Sequence, residues 1–166
     1  GLRGALEPFD TDGDGALSQR ERQAVYNLVV DASTTGLEGL EWFTNLQDLT
    51  VSGAQLGSIE AGTLPSSLTS LRASGCALES IVLSSSGRLM TLDLSNNPLG
   101  TLDASSLARL TNANFANCNL AGEFNVTANT RLEHIDVSGN PALVTLNALG
   151  VPGLAIEGAV TADATC

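Results

Sequence analysis

The sequence contains no lysine, a single histidine and few aromatic residues, which make up 4% of its 166 positions. Seven arginines stand against 18 aspartates and glutamates, so the formal net charge is −11. Nucleic-acid binding needs clustered lysine and arginine, and this class of function is therefore nearly excluded. An anionic membrane surface is disfavoured for the same reason. Because no stretch approaches 18 consecutive apolar residues, we also expect no membrane insertion.

Motifs of enzyme active sites are missing as well. The sequence has no G-x-S-x-G, no H-E-x-x-H, no phosphate-binding loop and no cysteine–histidine pair at a shared strand end. His134 lies two residues before Asp136, but no nucleophile spacing surrounds the pair. We therefore expect no enzymatic activity and interpret His134 as a solvated surface residue.

What the sequence does contain is one pattern repeated at a fixed interval. The clearest copy, L-x-x-L-x-L-x-x-(N/C)-x-L, covers residues 89–99. Counted from the first apolar position, successive copies start 21 or 22 residues apart. The starts are Val25, Leu46, Leu68, Leu89, Leu110 and Leu132. A repeat of this length is typical of a solenoid, in which each unit buries its apolar face against its neighbours.

Each unit carries apolar residues at positions 1, 4 and 6, and the spacing of two between the last pair predicts a β-strand. Strands one unit apart can pair only in parallel, so a crossover must join each strand to the next. The crossovers supply further apolar residues to the predicted core: Ile59, Leu64, Ile81, Leu83, Leu102, Leu107, Phe124 and Val126. A last unit, with strand spacing at Leu154 and Ile156, starts at Val151, only 19 residues after Leu132, and is expected to be shortened.

Position 9 of the unit falls in the turn after the strand, where a small polar group is needed to satisfy buried backbone. Its occupants are Ser33, Ala54, Cys76, Asn97, Cys118 and Asn140. This set resembles the asparagine ladder of leucine-rich repeat proteins. The short period and serine-rich crossovers resemble bacterial surface proteins of the internalin or BspA-like kind. The resemblance implies an α/β solenoid, a right-handed horseshoe with a parallel β-sheet on its concave face.

The three cysteines are Cys76, Cys118 and Cys166. The first two occupy position 9 two units apart, and strands spaced about 4.8 Å place them roughly 10 Å apart. A disulfide needs Cα atoms within about 7 Å, so we predict two buried structural thiols and neither a bridge nor a metal pair. The sequence leaves open whether Cys166 is free or paired.

Ahead of the repeats, residues 10–21 read D-T-D-G-D-G-A-L-S-Q-R-E and match the calcium-loop pattern D-x-[DN]-x-[DN]-G-x5-E at every defined position. Carboxylates stand at loop positions 1, 3, 5 and 12, and Gly15 at position 6 permits a sharp turn. Position 7 offers a backbone carbonyl, and position 9 can ligate through a water. The predicted metal is Ca²⁺, and the predicted ligands are Asp10, Asp12, Asp14, Ala16, Ser18 and Glu21.

This loop resembles those of EF-hand and dockerin proteins, but it is single, whereas sensors and dockerins pair two. Pro8 shortens the incoming helix, and the outgoing helix, Ser18 to about Ala24, ends where the first repeat begins. No linker separates loop and repeats. We therefore interpret residues 1–24 as an EF-hand-like calcium cap and residues 25–166 as a solenoid of about six repeats plus a short last unit. Such a cap covers the core and strand edge that an end unit exposes.

The outward-facing strand residues, at positions 3, 5 and 7, are small, polar and mildly acidic. They lack aromatic platforms for sugars and the anchors that dominate tight protein interfaces. We interpret Arg72 and Asp93, on adjacent strands, as a surface ion pair and not as a binding site. Trp42 and Phe43 are the bulkiest pair in the chain, and we expect both to pack in the core.

Asn125-Val126-Thr127 matches the N-glycosylation sequon and lies in a crossover. Chance matches to so short a pattern are common, and Val126 is expected in the core. If the source is bacterial, as the resemblance implies, the match carries no meaning.

The leading interpretation of function is a calcium-stabilised recognition or adhesion module, extracellular or on a bacterial cell surface. The resemblance implies a protein or a glycan as its partner, and the residues do not choose between the two. An alternative is a structural spacer or stalk that holds other domains away from the cell and has no ligand. A third interpretation, a dockerin-like calcium-dependent assembly module, requires the loop to contact a partner directly.

Overall fold

The computed structural model describes residues 2–158 and the backbone of residues 161–163. At the N-terminal end, two short helices, α1 Leu2–Leu6 and α2 Gln19–Gln23, flank the acidic loop, and a 3-10 turn at Glu7–Phe9 follows α1. Helix α1 contacts the first strand of the repeats, and Leu2, Leu6 and Leu17 pack against the core. A second 3-10 turn lies at Leu40–Trp42. The rest of the described chain consists of β-strands, turns and irregular segments.

Parallel strands form the body of the molecule. The strands are β1 Asn27–Val30, β2 Asp48–Val51, β3 Ser58–Ile59, β4 Ser70–Arg72, β5 Ser80–Ile81, β6 Thr91–Asp93, β7 Asn112–Asn114, β8 Ala121–Asn125, β9 His134–Asp136, β10 Ala142–Asn147, β11 Ala155–Glu157 and β12 Thr161–Asp163. Seven of them form the main sheet in the order β1-β2-β4-β6-β7-β9-β11, and every pairing is parallel. Each repeat contributes one strand to this sheet, which confirms the predicted parallel arrangement.

The crossovers contain short strands instead of helices. Strand β3 pairs with β5, and β8, β10 and β12 form a second parallel sheet. Within residues 25–158 there is no α-helix, so the α/β part of the predicted fold class is wrong and the repeats form a parallel β-solenoid. The crossovers are rich in serine, threonine, glycine and β-branched residues, and these residues have low helix propensity.

A single aliphatic core lies between the main sheet and the crossovers. Leu49, Leu71 and Leu92, at position 4 of their units, are fully buried. The crossover residues predicted to face inward are also buried, namely Ile59, Leu64, Leu83, Leu107, Phe124 and Val126. Ile81 and Leu102 are half-buried against the same core. The predicted core is therefore confirmed, with these two residues at its margin.

The 3-10 turn after the first unit separates the two large aromatic residues. Phe43 is 3% exposed, whereas Trp42 is 66% exposed. Residues three apart share one face of a 3-10 helix, so Leu40 and Phe43 both point into the core and Trp42 points away from it. The prediction of core packing is confirmed for Phe43 and wrong for Trp42.

The two asparagines at position 9, Asn97 and Asn140, form hydrogen bonds between their own turn and the preceding unit. Asn97 Oδ1 accepts from the backbone N–H groups of Cys76 at 2.8 Å and Leu78 at 3.0 Å. Its Nδ2 donates to the carbonyls of Ala73 and Leu94, both at 2.7 Å. Asn140 forms the equivalent four bonds with Cys118, Leu120, Phe115 and Val137. This is the predicted ladder, and each rung satisfies buried backbone on two neighbouring units.

Cys76 and Cys118 alternate with these asparagines as buried free thiols, which confirms their predicted structural role. The Cys118 thiol donates to the carbonyl of Leu94 at 3.1 Å, and the Cys76 thiol donates to that of Val51 at 3.4 Å. Both carbonyls belong to the preceding unit. Cys166 lies outside the described residues.

Both buried thiols are expected to resist alkylation in the folded protein. Burial raises the pKa of Cys118 from the ordinary 9.0 to about 11, and it raises the pKa of Cys76 as well. At pH 8 both thiols stay protonated and enclosed, so iodoacetamide should modify them only in denaturant. Because the folded pKa exceeds the unfolded one, the contribution of Cys118 to stability is full below pH 9 and is lost as the pH rises towards 11.

Mass spectrometry after cleavage at arginine reads the two sites separately, since Cys76 lies in residues 73–88 and Cys118 in residues 110–131. Rapid labelling of either peptide in the folded protein at pH 8 would contradict the prediction.

The first unit departs from the ladder pattern. Ser33, the expected occupant of position 9, is exposed, and Thr34 is buried beside it at 1% exposure. Asp31 accepts from both the N–H and the hydroxyl of Ser33, at 2.9 and 2.6 Å, and so holds Ser33 in an outward turn. The assignment of Ser33 to the ladder is therefore wrong.

The last unit also departs from its prediction. The N–H of Val151 bonds to the carbonyl of Ala148, as at the other unit starts, but the sheet register pairs Ala155 with His134. The strand therefore begins two residues later than the pattern indicates, and its first residue follows His134 by the usual 21 positions. Pro152 and Gly153 supply the extra turn, with Gly153 at φ +72°. The expected shortening to 19 residues is wrong.

Candidate functional site

The acidic loop brings three of its four carboxylates together. One oxygen from each of Asp10, Asp12 and Glu21 lies within 4.8 Å of the other two. Asp14 lies outside this group, and its Oδ1 accepts from the N–H of Ala16 at 2.8 Å. The sequence-predicted set is therefore only partly assembled.

Asp10 organises the tip of the loop. Its two carboxylate oxygens accept from the N–H groups of Gly13 at 2.8 Å and Gly15 at 2.9 Å. The two glycines have φ of +72° and +84°, a backbone conformation that residues with a side chain rarely adopt. The sharp turn predicted at Gly15 is present, and it curls the backbone around the Asp10 carboxylate.

Glu21 is the buried member of the group, at 6% exposure. Its Oε1 accepts from the N–H and hydroxyl of Thr11 at 2.6 and 2.7 Å, and its Oε2 accepts from the N–H and hydroxyl of Ser18 at 2.9 and 2.8 Å. These bonds, the one from the Thr11 hydroxyl first, lower the pKa of Glu21 from 4.5 to about 2. Glu21 is therefore ionised at neutral pH, and with Ser18 it forms the capping box of α2.

Thr11 is a site residue that sequence reasoning missed. It stands at loop position 2, where the calcium pattern defines no residue, and it is ten positions from its partner Glu21. No local motif signals a bond of that span. Ser18, predicted as a ligand through water, instead donates directly to Glu21.

The pKa of Asp12 reflects the repulsion between the clustered carboxylates. A hydrogen bond from the N–H of Asp14 is the largest influence on its pKa and lowers it. Repulsion by the Asp14 and Glu21 carboxylates, together with desolvation, outweighs this bond, so the pKa of Asp12 is raised. A carboxylate whose proton affinity is raised by like charges gains most from a cation placed among them.

The clustered carboxylates lie at separations that calcium ligands can have. Calcium binds oxygen at about 2.3–2.6 Å, so ligands on opposite sides of the ion lie about 4.6–5.2 Å apart and others lie closer. The mutual separation of at most 4.8 Å among Asp10, Asp12 and Glu21 satisfies this requirement. The carboxylate oxygens of Asp10 and Asp12 accept at most one backbone hydrogen bond each and keep a lone pair for a metal. Each oxygen of Glu21 already accepts two, so a cation at Glu21 would have to displace the hydroxyl of Thr11 or Ser18.

The outward side of the main sheet, which we call the open face, is the second candidate site. The strand register aligns its side chains in rows that cross all seven strands. One row consists of Asn27, Asp48, Ser70, Thr91, Asn112, His134 and Ala155, and the other of Val29, Thr50, Arg72, Asp93, Asn114, Asp136 and Glu157. Neither row contains an aromatic residue. The face is polar, with acidic side chains spread along its length.

Arg72 and Asp93 lie opposite each other on β4 and β6, but each bonds elsewhere. Arg72 Nη1 donates to Ser70 Oγ at 2.8 Å, and Asp93 Oδ1 accepts from the hydroxyl of Ser95 at 2.7 Å and from its N–H at 3.0 Å. A partner two residues away in the chain needs less ordering of the side chain than a partner on the neighbouring strand. The expected ion pair between Arg72 and Asp93 is not formed.

His134 lies at the C-terminal end of the open face, with its side chain 40% exposed, as predicted for a surface residue. Its Nε2 lies 2.8 Å from Glu157 Oε1 on the last strand, and Asp136 instead accepts from the N–H of Ser138. Glu157 could not be identified as the partner from sequence, because the last strand starts two residues later than its pattern indicates. In the described part of the chain, no hydroxyl or thiol bonds to His134.

Comparison with known proteins identifies the fold. A leucine-rich repeat family model matches residues 88–110, which is one unit. No curated protein sequence matches the chain. Internalin C2 of Listeria monocytogenes superposes with a TM-score of 0.55 at 15% identity, covering 95% of this chain and 92% of that one. The internalin inlF of the same organism gives 0.50 at 15% identity, covering 97% of this chain and 55% of that one.

At this level of identity, the likeness shows the fold alone. The chain adopts the leucine-rich repeat fold, in the form seen in these internalins. None of the helices in residues 2–158 has the length and apolar content needed to cross a bilayer.

Proposed function

We propose that the chain is a calcium-stabilised recognition or adhesion module, displayed on the surface of a bacterium or secreted by it, that binds a protein or a glycan through the open face. The observation that carries this proposal is the open face itself, where seven strands in register hold mostly polar side chains in fixed rows. A rigid array of this kind offers hydrogen-bonding groups at constant spacing. The likeness to internalins supports the surface location.

The size of the open face bears on how it binds. Six spacings of about 4.8 Å give a length near 29 Å, and two outward rows, each covering about 7 Å of strand, give a width near 14 Å. That is roughly 400 Å², compared with about 800 Å² per partner in a standard protein interface. A partner must therefore reach over the rim of the sheet, or bind weakly and gain avidity from many copies at a surface.

The binding proposal is tested on a glycan array and by pull-down from host-surface proteins, each with calcium and with chelator. Asn112→Arg places a bulky charge in the middle of the open face without touching the core, since Asn112 is exposed on β7. Thr130→Arg makes the same change on an exposed crossover residue. We expect Asn112→Arg to weaken capture about tenfold or more, which is about 1.4 kcal/mol, and Thr130→Arg to leave it unchanged.

Blank results on both assays would favour the second candidate, a spacer or stalk without a ligand of its own. The observation in its favour is the composition of the open face, which has a single arginine and no aromatic residue in its two rows. Capture that depends on Asp12 and not on Asn112 would instead favour a dockerin-like assembly module.

The calcium part of the proposal assigns Ca²⁺ to Asp10, Asp12 and Glu21, joined by Asp14, the Ala16 carbonyl and, through water, Ser18. The ion would neutralise the repulsion between the loop carboxylates and stiffen the segment next to β1. The contacts of α1 with β1 and of Leu17 with the core support a capping role for this segment.

Calcium should raise the melting temperature of the protein. At a free concentration of ~100 Kd the gain is about 2.7 kcal/mol, or about 5–11 °C for a domain of this size. Asp12→Asn should remove most of the shift, because it deletes one ligand charge while the amide oxygen can still accept from Asp14 N–H, at 3.3 Å in the wild type. Asp103→Asn, an exposed crossover aspartate, is the matched control. Equal melting in calcium and in EDTA would contradict the proposal.

A further inference from the structure

We propose that Asn125 is the acceptor of an N-linked oligosaccharide. Asn125-Val126-Thr127 is the only N-x-S/T sequon in the 166-residue sequence. The sequence alone gave this match no meaning, since the pattern arises by chance. The structure adds three observations that distinguish it from a chance match: the exposure of the acceptor, the position of the threonine hydroxyl, and the side of the molecule on which the site lies.

The acceptor side chain is exposed while its neighbours anchor the strand. Asn125 is the last residue of β8, and side chains alternate along this strand. Glu123 and Asn125 are exposed, whereas Phe124 and Val126 are buried at 5% and 1% exposure. A glycan on Asn125 would therefore extend into solvent without displacing any core residue.

The hydroxyl of the sequon contacts the acceptor amide. Thr127 Oγ1 donates to Asn125 Oδ1 at 2.8 Å, and the N–H of Thr127 donates to the same oxygen at 2.9 Å. Both bonds fall on the amide oxygen. Among the described residues, Asn125 Nδ2, the nitrogen that must react, therefore has no hydrogen-bond acceptor. The two bonds from Thr127, the residue that the sequon requires, stabilise the turn that carries it.

The site lies away from the open face. Strand β8 belongs to the three-stranded crossover sheet with β10 and β12, on the other side of the core from the main sheet. An oligosaccharide at Asn125 would leave the rows of the open face accessible. Modification and recognition are therefore compatible in one molecule.

The reaction requires a lipid-pyrophosphate-linked oligosaccharide and an oligosaccharyltransferase. Asn125 Nδ2 forms a bond to C1 of the first sugar, and the bond from C1 to the pyrophosphate oxygen breaks. The lipid pyrophosphate leaves with that electron pair, and the amide loses one proton to a base of the transferase. No oxidation or reduction takes place. The substrate role requires export into a compartment that holds an oligosaccharyltransferase. Export is part of the proposed function, and in a bacterium the sequon gains a meaning only where that enzyme is present.

The test supplies export directly, so it does not depend on the proposed location or on ligand binding. The full chain is expressed behind a signal peptide in cells that carry the transferase and its lipid-linked donor. We expect one oligosaccharide on the peptide of residues 110–131, and enzymatic release should convert Asn125 to aspartate. A reference glycoprotein expressed in the same cells shows that the transferase is active.

Three variants separate acceptance from folding. Asn125→Asp keeps the oxygen that accepts both bonds from Thr127 and removes the nucleophilic nitrogen, so it should fold normally and carry no glycan. Thr127→Val should also lose the glycan, and Thr127→Ser should keep it. An unmodified wild-type chain beside a modified reference, or a glycan retained on Asn125→Asp, would overturn the proposal.

Discussion

Replacing Asn97 by alanine is expected to lower the free energy of unfolding by about 3–5 kcal/mol. Asn97 is 1% exposed, and its amide satisfies two N–H groups and two carbonyls of buried backbone. A buried backbone group without a partner costs about 1–3 kcal/mol, and costs at neighbouring groups add only in part. The total lies in the range reached by few single substitutions.

The measurement is thermal and denaturant unfolding of the variant beside its neighbour Asn96→Gly. Asn96 is exposed and has φ +59°, and glycine occupies the same unit position at Gly53, Gly75 and Gly139 with φ between +62° and +69°. The control should therefore unfold within about 0.5 kcal/mol of wild type. A loss of equal size in the two variants would show that the turn, and not the ladder bonds, determines the cost.

Replacing Phe115 by alanine is expected to cost about 3–5 kcal/mol as well, through a cavity. Phe115 is fully buried, and its ring meets that of Phe124 edge to face, with centroids 5.5 Å apart and planes at 83°. It occupies position 6, where the other central units carry Val51, Ala73, Leu94 and Val137. The phenyl ring fills space that a smaller residue fills elsewhere.

A double substitution tests whether Phe115 compensates for a small neighbour. Position 4 of the same unit is Ala113, where adjacent units have Leu92 and Ile135, and residues two apart on a strand lie on the same face. Ala113→Leu alone should overpack by about 1–3 kcal/mol. The double variant Ala113→Leu, Phe115→Leu should lose less unfolding free energy than the two single variants lose together. The difference, which is the coupling energy, should be about 0.5–3 kcal/mol. Strict additivity would contradict a shared space.

The repeats were predictable because their signal is periodic. Apolar residues at positions 1, 4 and 6 recur every 21 or 22 residues, an interval typical of solenoids, and the register of the central strands follows from counting alone. The same counting failed at Ser33 and at the last strand, where one turn of different geometry shifts the chain. Turn geometry depends on local hydrogen bonds, such as those of Asp31 to Ser33, that a repeat pattern does not encode.

The failures at Trp42 and Arg72 have a different origin. Composition indicates that a large apolar residue prefers the core, but the 3-10 turn at Leu40–Trp42 decides which side chain points inward. Likewise, register correctly placed Arg72 opposite Asp93, and competition with nearer partners decided the bonds. Thr11 in the acidic loop belongs to the same kind, since its bond to Glu21 depends on how the loop closes.

The side chains of the ladder bond to the unit that precedes them in the sequence, and this order affects folding during synthesis. Asn97 and Asn140 reach back to the turns of Cys76 and Cys118, and the Cys118 thiol reaches back to Leu94. The units of Cys76 and Cys118 thus receive these partners from residues that leave the ribosome later, and neither unit is complete until the next one has emerged. A chain cut after residue 131 would leave the N–H groups at Cys118 and Leu120 without acceptors, so the damage would spread one coil upstream of the break.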